Sequence, residues 1–414
     1  MTTPKLGFKD SDGREFPEWE EKKLGTFCVK IGSGKTPKGG RKIYCNDGVM
    51  LIRSQNVLNG ILDLSDVVYI TNDINESMLS TILEEHDVLL NITGASIGRC
   101  CLYLCDKKAN VNQHVCIIRL DKNADIIPEF LLQYILSDCI QNQIKSYQNG
   151  GSREGLNFQQ ISNFIVHRPS LPEQKKIASF LSTIDEIIQS TESELTAWQE
   201  RKKGVMQKIF NREVRFKSDD GSEFPEWEEK KLGEITQKVV RKADDKSMAD
   251  VRMISQGNGF ILQSKKYSRE NAGESLKKYT LLKKNEFAYN HGASKVKQYG
   301  VCYRLIESDE ARVPYVYHTF RLKKGNEDYW NYALNTSEMD KQLKKMVSSG
   351  VRMDGLLNIN YETYMSVKVL IPSLPEQKKI AECLFSIDGV IRNIQAELSA
   401  WKEFKKGLLQ QMFV

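Results

Sequence analysis

The chain contains two segments that each occur twice, and this duplication restricts the fold more than any other feature of the sequence. Residues 8–25 read FKDSDGREFPEWEEKKLG and residues 216–233 read FKSDDGSEFPEWEEKKLG, with 15 of 18 positions identical. Residues 170–210 and 373–413 both begin SLPEQKKIA and match at 23 of 41 positions. The stretches between the repeats are similar in length but share little sequence. This alternation of constant and variable segments predicts two similar scaffolds that carry two different binding surfaces.

The longer repeat predicts a long helix in each copy, because apolar residues recur at alternating steps of four and three, the heptad pattern of a coiled coil. The seam positions are Ile177, Leu181, Ile184, Ile188, Leu195 and Trp198 in the first copy and Ile380, Leu384, Ile387, Ile391, Leu398 and Trp401 in the second. Both seams have the same register, and the tether favours pairing within the chain over homodimerisation. Lys202 and Lys405 occupy equivalent seam positions, where they either fix the register or extend into solvent.

The variable regions predict one α/β fold, with a mostly β core, that is used twice. Short β-type segments such as DVLLNIT and HVCIIRL in the first region, and EFAYN and GVCYRLI in the second, are separated by turn residues. Helical segments follow from Pro128 and from Asp328. The signals R/I-S-Q, G-A-S and G-x-R recur in the same order in both regions.

Basic and amide side chains in glycine-rich loops of the variable regions predict a nucleic-acid surface. Arginine is the commonest reader of guanine, asparagine and glutamine read adenine, and glycine-rich backbone can approach phosphates closely. The candidates are Lys35, Lys38, Arg41, Lys42, Arg53, Gln55, Ser96, Arg99, Asn112, Gln113 and Arg153 in the first region, and Gln256, Asn290, Ser294, Lys295, Lys297 and Arg352 in the second. For one such residue, ordinary solvated polarity is the simpler interpretation, whereas the set favours nucleic acid.

Other function classes fit the sequence poorly. The GSGKT run at 32–36 lacks a phosphate-binding glycine at Val29, and Pro37 and Gly39 oppose the helix that such a loop requires. The nine cysteines are scattered without CxxC pairs, which favours reduced thiols over a metal site. The EEKK run at 20–23 recurs intact at 228–231 within a constant segment, which favours a structural role over part of a nuclease site. We therefore expect no catalytic residues and no metal, and the absence of long apolar runs and of an apolar leader predicts a cytoplasmic protein with no membrane partner.

The LPEQKK junctions, heptad helices, G-A-S loops and G-x-R loops resemble those of the specificity subunit of type I restriction–modification enzymes, over essentially the whole chain. The resemblance implies two target recognition domains, residues 1–169 and 216–372, each reading half of a bipartite, asymmetric site in double-stranded DNA. It implies that residues 170–215 and 373–414 form an antiparallel coiled coil that separates these domains. Such pairing gives an internal pseudo-twofold, and domain centres one helical turn apart, about 34 Å, could meet successive major grooves.

The resemblance also implies the partners. Two modification subunits would bind S-adenosylmethionine and methylate adenine, and two restriction subunits would use ATP and Mg²⁺, while this chain would bind no cofactor and catalyse nothing. One alternative is a coiled-coil adaptor whose two β-rich domains bind proteins. Another is a stand-alone nuclease or methyltransferase. Sequence-specific, salt-dependent DNA binding separates the leading hypothesis from the adaptor, and activity of the isolated chain would support the enzyme.

Overall fold

The computed structural model describes residues 4–37, 39–148, 155–243, 249–265, 278–292, 297–347 and 357–413. The chain divides into two compact units, which we call unit 1 (Met1–Glu194 and Ile394–Val414) and unit 2 (Leu195–Asn393). Among the described residues, no helix has the length and apolarity needed to cross a membrane.

Unit 1 is built on a four-stranded antiparallel sheet with helices and a smaller sheet around it. Its strands are β1 (Glu20–Lys23), β2 (Cys28–Ser33), β3 (Val49–Ile52), β4 (Val68–Ile70), β5 (Val88–Asn91), β6 (Cys100–Leu102), β7 (Ala109–Val111), β8 (Val115–Leu120) and β9 (Ile165–Arg168). Its helices are α1 (Asn72–Glu76), α2 (Pro128–Leu136), α3 (Asp138–Gln148), α4 (Phe158–Ser162), the first part of α5 (Leu171–Phe210) and the last part of α10 (Leu374–Met412). The main sheet has the order β2-β8-β5-β6, and β4-β3-β7 forms a smaller sheet.

Unit 2 repeats the main sheet of unit 1. Its strands are β10 (Glu228–Lys231), β11 (Thr236–Lys238), β12 (Arg252–Ser255), β13 (Gly259–Leu262), β14 (Thr280–Lys283), β15 (Phe287–Asn290), β16 (Val301–Arg304), β17 (Glu310–Val313), β18 (His318–Leu322) and β19 (Lys368–Ile371). Its helices are α6 (Leu232–Ile235), α7 (Glu327–Ala333), α8 (Ser337–Met346), α9 (Tyr361–Met365) and, from the long helices, the end of α5 and the start of α10 (Leu374–Met412). The order β11-β18-β15-β16 matches that of unit 1, whereas the smaller sheets are β12-β13 and β14-β17. The prediction of one fold used twice is confirmed.

The predicted helical segments after each main sheet are interrupted. Ser137 has extended backbone angles (φ −75°, ψ 162°) and separates α2 from α3. In unit 2, α7 ends at Ala333 and Thr336 caps the start of α8 by accepting a hydrogen bond from the Met339 amide. Serine and threonine compete with helical backbone hydrogen bonds, which explains why both breaks contain a hydroxyl side chain.

The main sheet of each unit is buried on both faces. In unit 1, Val88 and Leu90 pack in the helix-side core, whereas Leu89 packs against the smaller sheet. In unit 2, Phe287 joins the helix-side core and Ala288 the opposite one. Successive strand residues point to opposite faces, so a strand covered on both sides must be apolar throughout.

The two kinds of constant repeat contact each other within each unit. The tryptophan of the first repeat hydrogen-bonds the glutamate of LPEQ: Trp19 to Glu173 in unit 1, and Trp227 Nε1 to Glu376 at 3.0 Å in unit 2. Both tryptophans are buried. The EEKK runs form β1 and β10, which pair antiparallel with β9 and β19. The constant segments therefore form the frame on which each variable region is mounted.

The glutamine of LPEQ fastens α5 and α10 to the variable regions. Gln174 Oε1 accepts a hydrogen bond from the Ile127 amide just before α2, and Gln377 Oε1 does the same for the Asn326 amide before α7, both at 2.9 Å. Amides at a helix start have no partner within the helix. This need explains the identical glutamine in both repeats.

The long helices α5 and α10 pair antiparallel within each unit. In unit 1, Asp185 of α5 pairs with Lys405 of α10, and Glu192, further along α5, pairs with Lys402, which is earlier in α10. The two helices therefore run in opposite directions. The predicted seam is largely buried: Ile177, Leu181, Ile184, Ile380, Leu384 and Ile391 are at most 8% exposed, and Ile188, Ile387 and Trp401 are partly buried against the cores. Leu195, Trp198 and Leu398 are half-buried. The predicted antiparallel pair is confirmed.

Candidate nucleic-acid interface

The strand register of unit 1 brings several predicted loops to one edge of the main sheet. Ser33 at the end of β2 lies opposite Cys116, and Asn91 at the end of β5 lies opposite Val115. The β2 end is held to the segment before β8 by the Gly34 amide, which donates to Asn112 O at 3.2 Å. We call residues 34–37, 53–57, 92–99 and 112–114 the loop edge of unit 1.

The loop at 53–57 is joined to this edge by buried amides. Asn91 Nδ2 donates to Ser54 O at 2.8 Å and to Val57 O at 3.2 Å, and the Asn112 amide donates to Ile52 O at 3.1 Å. All of these residues belong to unit 1, and Asn91 is fully buried, so these hydrogen bonds lie inside unit 1. Most of the predicted site residues of the first variable region therefore lie in segments that meet at one edge of the main sheet.

Three of the predicted cations of the first variable region, Lys35, Lys42 and Arg99, are exposed, and Lys35 and Arg99 belong to the loop edge. All three side chains are exposed, and no described carboxylate lies within ion-pair distance of them. Arg99 follows the G-A-S turn, a short 3-10 helix at Gly94–Ser96 that leaves Ser96 half-buried. Free cations beside backbone turns suit contacts to phosphate oxygens, which position a protein on DNA without reading sequence.

Arg53 and Gln55 already have partners. Arg53 Nη2 donates to Asp66 O at 2.6 Å and lies 3.5 Å from Asp66 Oδ2, and Gln55 donates to the same carboxylate. The Arg53 guanidinium also lies 5.8 Å from the centre of the Tyr44 ring. Bidentate binding of a base by either side chain would compete with its contact to Asp66.

Gln113 belongs to a chain of polar side chains across the loop edge. Its Oε1 accepts a hydrogen bond from Thr36, its Nε2 lies 3.1 Å from His114 Nε2, and His114 Nδ1 lies 2.6 Å from Thr93 Oγ1. Gln113 is exposed, whereas Asn112 is only 7% exposed and its Oδ1 accepts a hydrogen bond from the His114 amide. Of the two adjacent amides, Gln113 is the one that solvent reaches.

Sequence reasoning missed Thr36, Thr93 and His114. A usable signal was present, because His114 directly follows Gln113 before a strand and the chain has only five histidines. The hydroxyls carried no signal, since threonine is common in loops and its partners come from distant segments. The chain of hydrogen bonds orients the Gln113 amide, and an oriented amide is what bidentate recognition of adenine requires.

Unit 2 has an equivalent edge with different side chains. Asn290 ends β15 opposite Val301, and its Oδ1 accepts a hydrogen bond from the Gly292 amide at 3.0 Å. Lys297 Nζ lies 3.5 Å from Asp340 Oδ2 of α8, and burial raises the pKa of that carboxyl. Gln256 is half-buried in the turn between β12 and β13. We call residues 291–292, 297–300, 314–317 and 357–359 the loop edge of unit 2.

Two stacked histidines, which sequence reasoning missed, organise the loop edge of unit 2. The rings of His291 and His318 lie 4.8 Å apart. His291 Nδ1 is 2.8 Å from Leu357 O and Nε2 is 3.0 Å from Val316 O, while His318 Nε2 is 2.8 Å from Ile359 O. Burial lowers the pKa of His318. The ring nitrogens therefore hold the 357–359 segment against the sheet.

Several predicted residues lie outside this description. Lys38, Arg153, Ser294, Lys295 and Arg352 fall outside the described residues, and the side chain of Arg41 is not described. Their roles, like those of the other candidates, stay predictions. Among the described residues, no cluster of three or more histidine, cysteine, aspartate or glutamate side chains could hold a metal ion.

Comparisons with known proteins agree on one family. The family model for the type I restriction modification DNA specificity domain matches residues 17–197 and 225–400. The type I restriction enzyme MjaVIII specificity subunit of Methanocaldococcus jannaschii is 27% identical, over 97% of this chain and 94% of that protein. The EcoBI specificity subunit of Escherichia coli is 26% identical over 41% of this chain and 35% of its own length.

Solved structures show the same fold. The S subunit of a type I restriction–modification system from M. genitalium has a TM-score of 0.58 at 16% identity, covering 100% of this chain and 99% of that one. A chain from a structure of complex assembly and conformational transition in a type I system has a TM-score of 0.53 at 16% identity, covering 96% and 98%.

The two units, each with polar loops at one edge of its main sheet, correspond to the two matches of the family model, which places the chain in the DNA-recognition class. The chain belongs to the type I restriction–modification specificity subunits, whose role is recognition of DNA sequence within an assembly with methyltransferase and restriction subunits.

Proposed function

We propose that this chain reads a bipartite, asymmetric site in double-stranded DNA, with each loop edge reading one half. The observation that carries the proposal is that the same main sheet, in the same strand order, presents different side chains at the same edge. Gln113 and His114 stand at the edge in unit 1, whereas stacked His291 and His318 organise it in unit 2. Two similar sheets that carry different side chains at their loop edges suit a DNA site whose two halves differ in sequence.

The paired helices supply the surface for the partner subunits. Phe385 and Phe404 on α10 are 58% and 50% exposed, so their rings are available for contact with a partner. Two modification subunits bind there and carry S-adenosylmethionine for adenine methylation. Two restriction subunits complete the assembly and use ATP and Mg²⁺. In this proposal the chain binds DNA and its partners, and the partners perform the catalysis.

The test is a domain exchange read out by methylation. Residues 216–370 are replaced by those of a related specificity subunit, and the hybrid is expressed with its modification subunits for methylome sequencing. We expect one half of the methylated motif to change and the other to stay the same, since unit 1 is untouched. A change in both halves would contradict modular reading. Purified assemblies that bind duplexes without sequence preference would favour the adaptor.

A further inference from the structure

Unit 2 contains an arginine whose guanidinium is enclosed by acceptors from both constant repeats. Arg215 Nε and Nη2 donate to the two oxygens of Glu376 at 3.2 and 3.0 Å, and Nη1 donates to Glu226 Oε1 at 2.9 Å. Nη2 also donates to Phe224 O at 3.1 Å and to Pro225 O at 2.7 Å. Glu376 is fully buried, so this cation neutralises a carboxylate that has no contact with water.

Unit 1 repeats each of these acceptors. Phe16, Pro17 and Glu18 occupy the FPEW motif as Phe224, Pro225 and Glu226 do, and Glu173 stands in LPEQ where Glu376 stands. We call the carbonyl groups of Phe16 and Pro17 and the carboxylates of Glu18 and Glu173 the Glu173 socket.

The surroundings of the two sites also match. Lys176 Nζ donates to Lys9 O at 2.6 Å in unit 1, and Lys379 Nζ donates to Lys217 O at 2.7 Å in unit 2. These lysines lie 5.7 and 5.9 Å from the equivalent phenylalanine rings. The frame around the socket is therefore conserved between the units in detail, and the comparison of the two sites is direct.

The two sites differ at the cation. Gly7 stands where the second repeat has Arg215, so the chain does not supply the guanidinium from that position. Glu173 is only 3% exposed and its Oε2 is a buried atom without a hydrogen-bond partner among the described residues. Burial raises the pKa of Glu173 to about 7 despite the hydrogen bond from Trp19. A buried carboxylate with an unused oxygen is unfavourable, and a cation with several donors would relieve it.

We propose that the Glu173 socket binds a guanidinium group supplied from outside this chain. The ligand class follows from the sister site, where one planar fork satisfies four acceptors. A lysine ammonium could not reach them in the same way, because its donors do not lie in one plane. Phe16 is half-buried whereas Phe224, whose carbonyl oxygen accepts from Arg215, is buried. An arginine of a bound protein and a free guanidine compound share this chemistry.

The test uses the full chain and ethylguanidinium chloride as the probe, with ethylammonium chloride at equal ionic strength as the control. We expect saturable binding of one ethylguanidinium by calorimetry and a matching rise in melting temperature, with no such effect of ethylammonium. Glu173→Gln should weaken binding roughly tenfold or more, the loss expected for one charge-assisted hydrogen-bond pair. Wild-type protein that does not distinguish the two probes, or equal binding by Glu173→Gln, would overturn the proposal.

Two matched variants use the sister site. Gly7→Arg should fill the socket from within, raise the melting temperature without ligand and abolish ethylguanidinium binding. Arg215→Gly should open a second site, so that binding rises from one probe per chain to two. If Gly7→Arg does not fold, the stoichiometry of Arg215→Gly still decides, because a count that stays at one contradicts the assignment of the acceptors.

A last comparison identifies the source of the guanidinium. The titration is repeated on the assembly with co-expressed modification subunits. If a partner arginine occupies the socket, ethylguanidinium no longer binds the assembly, and Glu173→Gln weakens assembly of the complex. If the ligand is a free guanidine compound, binding to the assembly equals binding to the isolated chain. Both results support the socket and name its occupant.

Discussion

At the scale of single residues, side chains that looked alike in the sequence differ in what they can bind. Both Gln55 and Gln113 are exposed, but Gln55 donates to the Asp66 carboxylate, whereas Gln113 is held by the Thr36 hydroxyl and the His114 ring. Lys35 is an exposed cation on the adjoining loop. Gln113 therefore fits the role of a base reader, and Lys35 that of a phosphate contact.

Replacing these residues should separate specificity from affinity. Gln113→Ala should relax the preference at one base position in one half of the site, at a cost of about 1–3 kcal/mol against the cognate base. Lys35→Ala should weaken binding to all duplexes alike and lower the slope of log affinity against log salt by about one. Both effects can be measured by competition binding of the assembled complex to a library of randomised duplexes.

Gln55→Ala is the matched control, because it removes the same kind of side chain from the same edge. Its amide is held by a carboxylate, which is a stronger partner than the hydroxyl and the ring nitrogen that hold Gln113, so we expect a smaller change in base preference than for Gln113→Ala. The opposite ranking would show that the Asp66 contact is exchanged for DNA, and that Gln55 rather than Gln113 reads a base.

At the scale of elements, each seam lysine joins the two long helices to a variable region. Lys405 Nζ lies 2.5 Å from Asp185 Oδ1, and Asp185 Oδ2 accepts a hydrogen bond from Gln133 of α2 at 2.9 Å. In unit 2, Lys202 Nζ lies 2.6 Å from Asp388, whose other oxygen accepts a hydrogen bond from Tyr332 of α7 at 2.7 Å. These lysines therefore fix the register rather than extend into solvent.

Breaking one of these three-residue contacts should loosen one unit. Lys405→Met keeps the length of the side chain but leaves Asp185 half-buried with one neutral partner, at a cost of about 1–3 kcal/mol. Faster hydrogen exchange should appear in peptides of unit 1, and Lys202→Met should have the same effect in unit 2. Denaturant unfolding gives the loss in the free energy of unfolding.

Two controls test whether the ion pair is the cause. Lys406→Met changes an exposed lysine one position further along the same helix, and should leave the free energy of unfolding within about 0.5 kcal/mol. Lys405→Met combined with Asp185→Leu removes both partners and should recover most of the loss, because no charge is left without a partner. An equal loss in Lys406→Met would mean that net charge, not this contact, matters.

At the scale of the whole molecule, the features with a regular period could be predicted and those that depend on partners could not. The heptads predicted α5 and α10, and the apolar runs predicted β5 and β8, because burial imposes those periods on the sequence. The Arg53–Asp66 pair joins residues across a turn, and nothing in the local pattern marks it. The Glu173 socket also needed the structure, since only the Arg215 contacts show what the repeated acceptors bind.

The division of the chain makes the last residues part of the first unit. Unit 1 includes Ile394–Val414, and Phe413, only 5% exposed, lies 5.4 to 6.3 Å from the rings of Trp19, Phe130 and Tyr134. Its equivalent, Phe210, lies 5.8 Å from Tyr329 in unit 2. The end of α10 therefore completes the core of unit 1, and the end of α5 completes the core of unit 2.

Phe413→Ala should therefore destabilise unit 1 and spare unit 2, although unit 2 lies closer to Phe413 in the sequence. Removing a buried aromatic side chain costs about 3–5 kcal/mol, so hydrogen exchange should accelerate in peptides from 4–148 and stay unchanged in peptides from 216–347. Phe404→Ala, at a 50% exposed position of the same helix, should have little effect, and Phe210→Ala should give the reverse pattern. If Phe413→Ala instead accelerated exchange equally in both sets of peptides, the two units would unfold as one, and their separate cores would not set their stabilities.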